Sequence, residues 1–208
     1  MKTNKLIFLL VLSFGIGFLF SSCGGGGLSD NPTLGKLPAL ADKYESEIDS
    51  YIEKAKQSTD MEDAFKYDKK QKLAKEEANK VISEYAENNL VAAPVPFDPT
   101  VGLNYEVVDL SIKGASRYRV NFEGNVKITE DIIGKYGSKR VHFFAYIMAV
   151  DKEGAPLGKV TVMSSKLGLK EYTKGLEVPI GGSLGHLRKM EKFDRIVFIS
   201  KEEYDAKK

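Results

Sequence analysis

The stretch Val141-His142-Phe143-Phe144-Ala145-Tyr146-Ile147-Met148-Ala149-Val150 decides the fold. Alternate residues of an extended chain point to opposite sides, so Phe143, Ala145 and Ile147 share one face while Phe144, Tyr146 and Met148 share the other. Both faces are apolar, which predicts a central strand covered on each side. Asp151-Lys152-Glu153-Gly154 supplies turn chemistry, and a returning strand runs from Leu157 through Val160 and Val162 to Met163. Upstream, Tyr105, Val107, Asp109 and Ser111 alternate with Val108, Leu110 and Ile112. Then Tyr118, Val120, Phe122, Val126 and Ile128 share one side of a second segment. Leu176 to Ile180 and Phe193 to Ser200 are further strand-like runs. Short strands with Gly-bearing turns and no regular helix between them predict an antiparallel β-sandwich-like domain over residues 92–208.

The run Tyr146 to Gly158, YIMAVDKEGAPLG, resembles the strand, turn and strand of small immunoglobulin-like modules in exported bacterial proteins. That resemblance implies an immunoglobulin-like architecture and carries no active site. The period is helical before Pro94. Leu40, Tyr44, Ile48, Tyr51 and Ala55 recur at steps of three and four, as one face of an amphipathic helix does. Thr59-Asp60-Met61-Glu62 has capping-box spacing, and Met61, Phe65, Leu73, Val81, Ile82 and Tyr85 continue the pattern until Asn88-Asn89. Residues 37–91 are therefore a helical segment, either a hairpin or nearly one continuous helix. Packed on the outer face of residues 141–150, it makes an α+β domain. Lysines and acids interleave from Lys66 to Lys80, the pattern of a solvated helix face rather than a basic stripe.

The chain begins Met-Lys-Thr-Asn-Lys and is then apolar from Leu6 to Phe20, shorter than the ~20 residues a spanning helix needs. Ser21 and Ser22 precede Cys23, the only cysteine. This arrangement resembles the lipobox of Gram-negative bacterial lipoproteins, which implies that residues 1–22 are a removable signal peptide and that Cys23 is acylated. Gly24, rather than an aspartate, after the cysteine implies by the same resemblance an outer-membrane anchor facing the periplasm. Residues 23–36 are Gly-, Ser-, Asn- and Pro-bearing and read as a flexible tether with a reach of roughly 20 Å. A single cysteine excludes an intrachain disulfide, so the domain relies on its hydrophobic core.

Without Lys2 and Lys5, the 31 basic residues become 29, equal to the 29 acidic ones. Zero net charge gives no general attraction for nucleic acid. Residues 42–89 hold 9 Lys against 13 acids, and residues 90–208 hold 19 basic against 15 acidic residues, a mild opposition that favours docking of the two parts.

Gly181-Gly182-Ser183-Leu184-Gly185 matches the G-x-S-x-G pattern of a nucleophile elbow. A serine hydrolase needs an acid and then a histidine downstream, yet His186 follows Ser183 by three residues and Pro179 disturbs the preceding strand. A glycine-rich turn is the simpler reading. His142 and His186 are a poor metal set, and HExxH, CxxC, P-loop and EF-hand patterns are absent, so no metal or cofactor is expected. His186, Arg188 and Lys189 follow flexible backbone and are the candidate contacts for an anion or other ligand. The sequence thus points to a lipid-anchored, non-enzymatic envelope protein that contacts a protein or envelope component. An apolar-ligand or lipid binder with a pocket between helices and sheet, and a hydrolase using Ser183 with His186, are the alternatives.

Overall fold

The computed structural model describes residues 30–133 and 140–207. The leader, Cys23 and the start of the expected tether lie outside the described residues. Helices α1 (Leu37–Gln57) and α2 (Met61–Asn89) fold back as an antiparallel hairpin, joined near their middles by Tyr44 Oη donating to Glu77 Oε1 at 3.4 Å. Asp60, one residue after Thr59, caps α2, its carboxylate accepting from Glu62 N at 3.0 Å. The buried face of α1 is Leu37, Ala41, Tyr44 and Ile48, and that of α2 is Ala74, Ala78, Ile82 and Ala86. Alanines at the contact let the two backbones approach closely. Met61, Phe65 and Leu73, expected in the core, are instead 75%, 67% and 56% exposed. They precede Ala74, in the half of the hairpin that carries no core contact, so the helical period is kept without burial.

The strands are β1 (Tyr105–Ser116), β2 (Arg119–Ile128), β3 (Ile132–Ile133), β4 (Phe144–Val150), β5 (Thr161–Ser165), β6 (Glu171–Tyr172), β7 (Glu177–Gly185) and β8 (Arg195–Ile199). Six of them form one antiparallel sheet in the order β1-β2-β7-β5-β4-β8, while β3 and β6 make a two-stranded ribbon. The mixed α+β class stands. The immunoglobulin-like sandwich does not: the long strands curl into a single half-barrel instead of dividing between two facing sheets. Alternation along each strand is the same for either arrangement, because it records which side is apolar and not which strand pairs with which.

Strand β4 is internal, as its apolar faces require, but the N-terminal helices pack chiefly elsewhere. Its outward Tyr146 stacks on Tyr204 of the short C-terminal helix α3 (Lys201–Ala206), with ring centroids 4.6 Å apart. Ser200 and Glu203 close a capping box at the start of α3. Helix α1 packs on a 3-10 helix, Leu187–Lys192, and α2 packs on β1. One continuous apolar core runs from Leu34, Leu37 and Ile82 through Phe122, Val126 and Ile147 to Ile196 and Phe198.

The proline-bearing stretch after α2 is more than a linker. Ala92 N donates to Ile112 O at 2.8 Å and Val95 N to Leu110 O at 2.9 Å, which pairs it with edge strand β1. Three residues on, Asp98 N donates to Ile196 O at 3.0 Å and Ile196 N to Pro96 O at 2.9 Å, which pairs it with β8, the opposite edge. Arg195 Nε donates to Asp98 Oδ1 at 2.7 Å beside this pairing. Residues 92–98 therefore strap together the two open edges of the half-barrel.

The C-terminal part of the expected tether is also fixed. Asn31 Nδ2 donates to Glu191 O at 3.1 Å and to Phe193 O at 2.6 Å, while its Oδ1 accepts from Thr33 N at 2.9 Å and Leu34 N at 2.8 Å. Leu34 is fully buried. Gly35 closes the turn with φ +53°, where a side chain would also strike the Tyr85 hydroxyl that accepts from Lys36 N at 3.0 Å. Residues 31–36 thus belong to the packed body, and the freely jointed length expected from composition ends before them.

Candidate functional site

A cleft of about 710 Å³ opens where four pieces of chain meet. Helix α1 contributes Glu45 and Asp49, and the hairpin turn between β1 and β2 contributes Arg117, Tyr118 and Arg119. The end of β7 and the following turn add Ser183, His186, Arg188 and Lys189. Ser116 pairs with Arg119, leaving Arg117 and Tyr118 as a two-residue loop. Asn79 of α2 accepts from Arg117 N at 3.2 Å, and Tyr118 O accepts from Leu187 N at 3.3 Å, so both neighbours pin the turn. His186 adopts a left-handed conformation, φ 60° and ψ 42°, which swings the chain from β7 into the 3-10 helix.

The electrostatics of the cleft centre on Arg117, whose side chain is only 6% exposed. Its Nη1 lies 3.3 Å from Glu45 Oε1, an ion pair, and its guanidinium carbon sits 3.7 Å from the centre of the Tyr118 ring. The approach to Glu45 is poorly aligned: Arg117 Nε and Nη1 and Glu45 Oε1 are all buried without a hydrogen bond. Burial pulls the guanidinium below its ordinary pKa, with Glu45 drawing it back up. Arginine stays protonated under such pressure, so the cost falls on solvation instead. On the rim, Arg188 Nη1 meets Asp49 Oδ2 at 3.3 Å with both side chains about half exposed. Arg119 and Lys189 are exposed and make no ion pair among the described residues.

His186, Arg188 and Lys189, singled out in the sequence, therefore do share one cleft. Ser183 lies in it too, but the glycine-rich motif is strand, neither an elbow nor a turn. Gly181 to Gly185 all fall in β7, and Ser183 pairs with Asn121 of β2. Gly182 is there for packing: a Cβ would lie 2.7 Å from Met163 Cγ and 2.9 Å from Val162 O of β5. Ser183 makes no side-chain hydrogen bond to either histidine among the described residues. His142 is elsewhere, its Nδ1 donating to Ser165 O at 2.9 Å. The sequence reading missed Glu45, Asp49, Arg117 and Arg119. Two arginines flanking a tyrosine in a tight turn were the available signal for the last two.

The chain matches no protein-family model, no curated protein and no solved structure.

A second cleft, about 530 Å³, lies between Tyr105 and the start of α3 and is also bordered by His142, Phe144, Tyr146 and Lys201. The Tyr105 hydroxyl is buried without a hydrogen bond, and burial raises its pKa well above the ordinary tyrosine range. Among the described residues no group of three or more His, Cys, Asp or Glu could hold a metal, and no helix is long and apolar enough to cross a membrane.

Proposed function

We propose that this protein is a lipid-anchored, non-enzymatic binding protein of the bacterial envelope that captures a small anionic ligand in the cleft beside Arg117. The observation that carries the binding reading is the charge inventory there: Arg117, Arg119, Arg188 and Lys189 face Glu45 and Asp49, leaving Arg119 and Lys189 without an ion pair among the described residues. Unpaired cations above a partly enclosed arginine favour a carboxylate or phosphate, which gains charge-assisted hydrogen bonds. The leader and Cys23 support attachment to the outer membrane through an acyl chain, facing the periplasm, and a protein partner remains compatible with the exposed half of the helical hairpin. The continuous apolar core speaks against a lipid pocket between helices and sheet. A Ser183 hydrolase lacks support, since its serine is paired within β7 and makes no hydrogen bond to either histidine among the described residues.

The test is a titration of the isotopically labelled chain with inorganic phosphate and with acetate at low ionic strength. Saturable amide shifts confined to Arg117–Arg119 and His186–Lys189, lost in the Arg119→Glu Lys189→Glu variant, are expected. No saturable response to either anion removes the proposal. Attachment is tested separately by membrane fractionation of Cys23→Ser, which should release the protein.

A further inference from the structure

On the footing of the anion-binding reading above, the strands that wall the cleft indicate what carries the anion. β2 pairs with β7 without a register shift from Glu177 to Gly185, whereas β5 meets β7 only at Gly181 and Ile180. Backbone groups alternate in direction along an antiparallel strand. Ile128 N of β2 donates to Leu176 O at 2.9 Å, and Lys166 N, just past β5, donates to Pro179 O at 3.4 Å. Even-numbered residues of β7 therefore address β2, and odd-numbered ones address the β5 side. Ser183 and Gly185 aim N–H and C=O where the β5 ladder has already ended. Both line the cleft together with Thr161 of β5, and Gly185 is exposed. They form a short strand edge open to another chain.

The charge beside this edge is positive. Arg119 pairs with Gly185, so its side chain stands on the same face of the sheet, one strand in from the edge. Gly185 has no side chain, and a β carbon there would meet nothing within 4 Å. A strand added beyond Gly185 lies roughly 10 Å from β2, two strand spacings, a gap that a glutamate reaching across the glycine closes with Arg119. Lys189 follows in the 3-10 helix, exposed like Arg119. Arg117 and Arg188 are already engaged by Glu45 and Asp49.

We infer that the cleft receives an extended acidic segment of a partner protein as an added strand on β7. Its main chain bonds to Ser183 and Gly185, and a carboxylate side chain crosses above Gly185 to Arg119 and Lys189. The small anion of the reading above is then that side chain. Main-chain bonds hold the segment, and the acid sets which segment is taken.

The isotopically labelled full-length chain in neutral detergent is titrated with acetyl-Thr-Val-Glu-Val-Thr-amide, with its glutamine analogue, and with a copy N-methylated at the glutamate nitrogen. That nitrogen faces the β7 edge when the glutamate lies opposite Gly185, because such a pair exchanges both bonds. The glutamate peptide should bind about tenfold or more tightly than either analogue, with saturable amide shifts at Ser183, Gly185 and Arg119. Gly185→Val, which fills the space above the glycine, and Arg119→Ala with Lys189→Ala should each bring it down to the level of the glutamine analogue. Should a variant fail to fold, the peptide ratios on the parent chain still decide. Equal binding of the N-methylated copy overturns strand addition, and equal binding of the glutamine analogue overturns the acidic class. A saturable response to acetate or phosphate with none to the peptide overturns this inference and leaves the anion-binding reading standing. No response to peptide, acetate or phosphate overturns both.

Discussion

Replacing Leu34 with alanine tests whether the segment ahead of α1 is part of the body. Composition reads residues 23–36 as a tether, and on that reading the substitution changes nothing. In the folded chain Leu34 is fully buried, in one cluster with Leu37, Ala86 and Leu90. Removing a buried leucine beyond its β carbon costs about 2–5 kcal/mol, from lost transfer energy and the cavity left behind. The loss cannot exceed what docks the segment, because beyond that point residues 31–36 simply detach and regain chain entropy. Taking about 3 kcal/mol, and about 2–4 °C per kcal/mol for a domain of this size, the midpoint of thermal unfolding should fall by about 6–12 °C. Asn31→Ala should act in the same direction by about 2 kcal/mol, since it removes bonds to the carbonyls of Glu191 and Phe193. The two belong to one turn, so the double variant should fall short of the sum. Circular dichroism melts of the three variants beside the parent are sufficient. A Leu34→Ala midpoint within about 1 °C of the parent would refute the docking and restore the tether up to Leu37.

Three more outcomes follow from the same packing. Tyr105→Phe removes a buried hydroxyl without a partner, so urea unfolding at neutral pH should show unchanged or slightly raised stability. Because the folded pKa of Tyr105 is raised, wild-type stability from this group is intact below about pH 10 and lost as pH rises from there toward the folded value, and the variant should lose less. Gly182→Ala should destabilise by about 1–3 kcal/mol in denaturant melts, since the new methyl group strikes Met163 and the backbone of Val162. Arg188→Ala should cost under about 1 kcal/mol, its pair with Asp49 being exposed; a larger loss would show that the pair holds α1 to the 3-10 helix.

Local regularities of this chain were legible and distant meetings were not. Tyr44 and Ile48 were placed correctly by helical spacing, and Val120, Phe122, Val126 and Ile128 by alternation, because both patterns depend on the side chain's own element. Phe65 fits the same helical period but stays exposed, in the half of the hairpin that adds nothing to the apolar core, which periodicity alone cannot register. The half-barrel needed β2 to find β7 and β5 to find β7, pairings fixed by the curl of the sheet. Asn31 looked like linker because a buried asparagine is recognised only once its four partners are known. In the site, His186, Arg188 and Lys189 were visible as one loop. Glu45 and Arg117 are 72 positions apart and meet only because α1 lies over the β1–β2 turn.

The strap at residues 92–98 sets the order in which this chain can be finished during synthesis. Its partner on one side, β1, follows within a few residues, but its partner on the other, β8, does not begin until Arg195. Contacts this far apart along the chain form late, because the intervening loop must first be closed. Until Arg195–Ile199 has left the ribosome, the half-barrel has no second edge to seal, and the backbone groups of Pro96 and Asp98 wait for Ile196. A nascent chain truncated before β8 keeps that open margin, where stray strands can pair. Among the described residues β8 is thus the strand that shuts the half-barrel, and it can do so only after everything between it and the strap has been made.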